Sequence, residues 1–142
     1  MGVDMPQQPW EEVDHTADWA LRVWGKDLPD LLENAALGMA SLLGGQSDRS
    51  APLTQTWEFS LSAPDAETLL VDWLTELIFL MEEEGVRFEQ FHVQHIDRLS
   101  VHAQATGTPG AVFDKHIKAA TYHDLRIRQT ENGLETVIVF DV

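Results

Sequence analysis

The sequence predicts an α+β protein: a largely antiparallel or mixed β-sheet packed with two main α-helices, in a single domain spanning residues 1–142. Three observations lead there. Two segments repeat apolar residues at helical spacing, several others alternate with a period of two, and strands and helices do not follow each other in a regular βαβ rhythm. With 142 residues and 44% hydrophobic content, the chain falls within the usual size of one domain and can bury a proper core. It contains no internal repeat, and its Pro/Gly/Ser-containing stretches, 44–52 and 106–110, are short enough to be loops.

Taken in order, residues 1–9 carry no pattern and are expected to fray. Residues 18–24 mix Trp, Leu and Val with polar neighbours at strand spacing. Asp27 as N-cap, Pro29 in the first turn, the apolar set Leu28, Leu31, Leu32, Ala35, Met39, Leu42 and Leu43, and then Gly44-Gly45 spell an amphipathic helix. Trp57, Phe59 and Leu61 alternate with polar residues across 54–62, the mark of a half-buried strand. Pro64 and Asp65 open a second helix, in which Leu70, Trp73, Leu74, Leu77, Ile78 and Met81 form one stripe and Gly85 is the stop. Its polar face carries Glu67, Asp72, Glu76 and Glu82 to Glu84, most simply a solvated surface. Four strands are expected beyond it, at 88–93, 99–105, 117–121 and 125–129, and Asn132-Gly133 then predicts a type I′ hairpin into a last strand over 134–142.

Composition excludes several chemistries. Without cysteine there is no disulfide framework, no thiolate nucleophile and no Cys-ligated metal, so any metal must be held by oxygen or imidazole. The formal charge of −15, from 24 acidic against 9 basic residues, argues against extensive direct nucleic-acid binding and leaves a basic protein partner open. No basic, apolar leader opens the sequence and no apolar run reaches the roughly 18 residues that cross a bilayer, so a cytoplasmic location without membrane contact is expected.

Three constellations carry candidate chemistry. Asp14-His15-Thr16-Ala17-Asp18 sets two carboxylates and an imidazole at the entrance of a strand, although Asp and Thr in such a place also simply cap a turn. Val137-Ile138-Val139-Phe140 is an apolar run expected to be buried, delivering Asp141 and the Val142 carboxylate side by side at its end. Adjacent anions either stay in water or are neutralised by a cation. Were Asp18 to reach the same spot, three hard oxygen donors would suit Ca²⁺, Mg²⁺ or Mn²⁺. The stretch from Lys115 to His123 is the one basic patch of note, in which Lys118 and His123 suit acid–base or phosphate chemistry as well as the polar face of a strand. There is no Gly-rich phosphate loop, nucleophile elbow or HExxH helix, and His92, His95 and His102 follow no ligand spacing.

Three of these segments, Asp14 to Asp18, Trp73-Leu74-Thr75-Glu76-Leu77, and Ile117 to His123 running on to Asp141-Val142, together resemble the archease family. The resemblance spans nearly the whole chain, with Thr75 where the family usually has Asn. It implies an accessory protein that is not itself an enzyme: a helper of an RtcB-type RNA ligase in tRNA splicing and RNA repair, promoting guanylylation of the ligase and its repeated turnover. It also implies a divalent metal, calcium with magnesium or manganese as alternatives, held by Asp18, Asp141 and Val142, with His15, Lys118 and His123 as candidate neighbours. Two rivals stand beside that reading: a general chaperone or scaffold for RNA-modifying enzymes such as a tRNA methyltransferase, and a metal-dependent hydrolase using His15 or His123 as base.

Overall fold

The computed structural model describes residues 8–14, 19–44 and 54–142. The elements run β1 (Trp10–Val13), β2 (Trp19–Gly25), α1 (Leu28–Leu43), β3 (Gln55–Ser62), α2 (Ala66–Glu84), β4 (Arg87–Asp97), β5 (Ser100–Thr108), β6 (Ala119–Ala120), β7 (Arg128–Thr130) and β8 (Gly133–Asp141). The α+β class stands. The strands divide into two antiparallel sheets: a five-stranded one ordered β1-β2-β8-β6 with β7 also on β8, and a three-stranded one ordered β3-β5-β4.

Both helices begin where their caps dictate. The Asp27 carboxylate accepts the Asp30 N–H at 2.9 Å, and the Asp65 carboxylate accepts the Thr68 N–H at 2.7 Å. Pro64 stands just outside the second helix, one residue before its cap. Gly85 ends α2 at φ 61°, a left-handed position where a side chain would also meet the Ala111 carbonyl.

Each helix touches both sheets, α1 packing on β2 and β4 and α2 on β3 and β6, so one core is shared by both helices and both sheets. Trp73 sits at its centre, fully buried. Its Nε1–H donates to the Leu32 carbonyl at 2.9 Å, tying α2 to α1. Its ring meets Phe59 and Phe91 edge-on, at 5.4 and 5.9 Å, which ties α2 to β3 and β4.

The structure departs from the sequence reading in several places. Of the residues expected to fray, 1–7 lie outside the described residues, while the Pro9 carbonyl accepts the Trp24 N–H at 2.9 Å and leads into β1, a strand too short to show in periodicity. The strands expected at 117–121 and 125–129 shrink to β6 and β7. Beside β7 the Ile127 N–H donates to the Glu67 carboxylate at 2.9 Å and the chain turns at Asp124 with φ 50°, whereas the residues flanking β6 still bond to β8, Lys118 and Thr121 donating to the Asp141 and Val139 carbonyls. Glu67 is thus not a merely solvated acid, and Glu82 likewise faces His116 at 3.2 Å. The final turn is not type I′, because only Gly133, at φ 118°, is left-handed there and Asn132 is not. Thr130 Oγ1 bridges the turn, accepting Asn132 N–H at 3.2 Å and donating to the Gly133 carbonyl at 3.1 Å.

Replacing Trp73 by Ala should cost about 3–5 kcal/mol, seen as a lower urea midpoint, and Trp73→Phe should cost less because ring packing survives while the indole donor is lost. A second expectation concerns acid. The hydrogen bond from Thr68 holds the Asp65 carboxyl below its ordinary 3.8. A carboxyl depressed on folding contributes stability that is present above its unfolded value and lost as pH falls through the folded one. The melting temperature of wild type should therefore drop more steeply below pH 4 than that of Asp65→Ser, which keeps the cap without the titration; parallel profiles would contradict this.

Candidate functional site

The site grows from β8. Thr136, Ile138 and Phe140 point into the core, while Glu135, Val137 and Val139 alternate onto the opposite face, followed by exposed Asp141. On one edge Phe140 pairs with Trp19, and on the other Ala120 and Ala119 pair with Phe140 and Asp141. Asp141 is consequently held at a strand end rather than on a loose tail. Its carbonyl accepts the Lys118 N–H at 2.8 Å.

A clamp lies just behind it. The Val139 carbonyl accepts both the Thr121 N–H at 3.0 Å and the Thr121 hydroxyl at 2.8 Å, and the same hydroxyl oxygen accepts the His123 N–H at 3.3 Å. Buried Ile117 anchors this segment to the core. Lys115 brings its ammonium 4.7 Å from the centre of the Trp19 ring, a cation–π contact that links the segment to β2. Neither Thr121 nor Trp19 declares a role in the sequence; the only signal was the position of Thr121 inside the basic stretch.

Of the residues singled out from the sequence, the structure brings Lys118 against Asp141 through the backbone bond and leaves the Lys118 side chain exposed. Val142 is 44% exposed. The His123 ring lies 3.4 Å from the Asp124 carboxylate, on the turn beyond Thr121. His15 and Asp18 lie outside the described residues. Among the described residues no three His, Asp or Glu side chains gather closely enough to hold a metal, and the Asp141 carboxylate has no side-chain hydrogen-bond or ion-pair partner. No described helix is long and apolar enough to cross a membrane. His92, His95 and His102 lie at the surface of the three-stranded sheet, where His102 faces Glu58 at 3.1 Å and His95 donates to the Arg98 carbonyl.

Two helices of 16 and 19 residues, two antiparallel sheets and a β8 end clasped from both edges define an archease-type α+β fold. The archease protein family model matches residues 10–142, and the chain belongs to that family. It is 36% identical over 141 residues to the protein archease of Methanosarcina barkeri, covering 94% of this chain and 95% of that one. The protein archease of Methanopyrus kandleri is 33% identical, with 94% and 99% covered. Among solved structures, protein 1598 of Methanobacterium thermoautotrophicum superposes with a TM-score of 0.71 at 27% identity, over 96% of this chain and all of that one. The Thermotoga maritima structure, described as an archease and possible chaperone, shares the fold with a TM-score of 0.68 at 22% identity, over 93% and 96% of the two chains.

Thr121→Val should remove the hydroxyl that serves both Val139 and His123 and destabilise the protein by about 1 kcal/mol, with faster amide exchange at residues 118–123 than elsewhere. Uniform change across the chain would show that the clamp is not local.

Proposed function

We propose that the chain is an accessory protein that activates an RtcB-type RNA ligase in tRNA splicing and RNA repair, promoting ligase guanylylation and repeated turnover, with a bound divalent cation and no catalysis of its own. Family membership supports the setting. The observation that carries the site is the Asp141 carboxylate, exposed at the end of β8 and without a side-chain partner among the described residues. Asp18 is covalently next to Trp19, whose partner Phe140 is covalently next to Asp141.

Asp18, Asp141 and the Val142 carboxyl oxygens are the proposed ligands. Their donor chemistry is that of a hard cation, calcium first, with magnesium or manganese as alternatives. The cation, when bound, supplies the positive charge that lets neighbouring carboxylates stand together. His15, Lys118 and His123 are the proposed neighbours. The net charge of −15 also fits an encounter with a basic, RNA-binding partner.

Calcium should raise the melting temperature of wild type, and Asp18→Ala or Asp141→Ala should remove most of that rise. Extending the chain beyond Val142 should do the same with every side chain intact. The protein alone should leave RNA and nucleotides unchanged. Substoichiometric amounts added to a cognate ligase, with GTP and a divalent metal, should increase ligated product and ligase guanylylation, and both aspartate variants should lose most of the gain. Cleavage of RNA or a phosphoester by the protein alone, without effect on any ligase, would move the assignment to a hydrolase. Protection of an unrelated RNA-modifying enzyme from aggregation, with no effect on ligation, would move it to a chaperone.

A further inference from the structure

Beside the Glu135–Val137 stretch of β8, four to six residues from Asp141 and so roughly 13–20 Å along the strand, lies a cavity of about 210 Å³. Arg22, Asp124, Arg126, Arg128, Glu135, Thr136 and Val137 line it. It gathers three of the nine Lys and Arg residues of a chain that carries 24 acids. Their states differ. Arg22 is neutralised from both sides, Nη1 lying 3.2 Å from Glu11 and Nε 3.7 Å from Glu135. Asp124 faces the His123 ring at 3.4 Å.

Arg126 and Arg128 are different: among the described residues neither side chain has a hydrogen-bond or ion-pair partner. Arg128 stands opposite Glu135 in the β7–β8 register, yet Glu135 is engaged by Arg22 instead. Backbone bonds set the two arginines in place, since Thr136 Oγ1 donates to the Arg126 carbonyl at 2.8 Å and the intervening Ile127 N–H is held by Glu67. Two arginines two residues apart, their backbone set beside a cavity and their guanidiniums without partners among the described residues, suit an anion from outside. Phosphate matches them, because its oxygens accept parallel N–H donors from a planar guanidinium. The volume leaves room for a phosphate group.

We propose that the cavity beside Arg126 and Arg128 binds the phosphate of a phosphorylated ligand, either a nucleotide or an RNA end. The site uses none of the three proposed cation ligands, although its Asp124 touches His123. Its test is titration of the isotope-labelled full chain with inorganic phosphate, adenosine 5′-monophosphate, a 5′-phosphorylated short RNA and its unphosphorylated twin. Salt is held at about 0.15 M, where a Debye length near 8 Å screens the distant acids. Amides of Arg22, Arg126, Arg128 and Val137 should shift, and the phosphorylated RNA should bind about tenfold tighter than its twin. Arg126→Gln with Arg128→Gln should weaken binding about tenfold or more at an unchanged melting temperature, and the double Lys variant should recover part of it. Tighter binding of the phosphorylated RNA than of the mononucleotide assigns the site to RNA ends, and equal binding assigns it to nucleotides. Unmoved amides at these positions with every phosphate probe, or a double Gln variant that binds as wild type does, would overturn the proposal.

Discussion

The pairing of β8 on both edges is the constraint on which the rest of the five-stranded sheet depends. β2 takes one edge over seven register pairs from Trp19 to Gly25, while β6 and β7 share the other. A strand in that position must present an apolar face to the helices, and Ile138 and Phe140 do so without exposure. On its opposite face Val139 is still buried beside Ala20, and only Asp141 at the strand end is exposed. Because the side-chain period is two, a slip of one residue would turn Asp141 into the core and Phe140 out of it, so packing of Phe140 fixes where Asp141 points.

The second constraint is Trp73, and it works on the other sheet. One indole donates to α1 and stacks edge-on against β3 and β4. The three-stranded sheet is thereby held to the helices by aromatic contacts on its inner face, and its outer face is left to polar pairs such as Thr56 with Thr106 and Glu58 with His102 and Gln104. The hydrogen bonds from Gln104 and His102 hold the Glu58 carboxyl below its ordinary range. This face therefore stays anionic at Glu58 under mild acid.

Between the two sheets runs the irregular segment from Gly110 to Ile127, and it illustrates how backbone can be satisfied without a ladder. Gly110 and Ala111 donate to carbonyls at the end of α2, Lys118 and Thr121 donate to β8, and Ile127 donates to a carboxylate of α2. The same segment carries Lys115 onto Trp19 and sets Arg126 beside its cavity. Both outward-facing features of the sheet, the Asp141 end and the arginine cavity, are thus placed by one stretch of chain.

What the sequence determined by itself was local. Asp27 and Asp65 announced their helices because a cap is a contact between residues three apart, and the stripe of Leu70, Trp73, Leu74, Leu77 and Ile78 declared a buried face because helical period needs no partner to be read. Family resemblance was legible for a similar reason, as three short motifs in order. Tertiary structure decided what depends on distant partners. Whether 125–129 would be a full strand turned on Glu67, 60 residues away, capturing the Ile127 N–H. Periodicity could not divide the strands between two sheets, since alternation gives a face but not a neighbour. Nor could it show that Lys115 meets Trp19, or that Arg22 takes Glu135 from Arg128, because those pairings arise only once β2, β7 and β8 lie side by side.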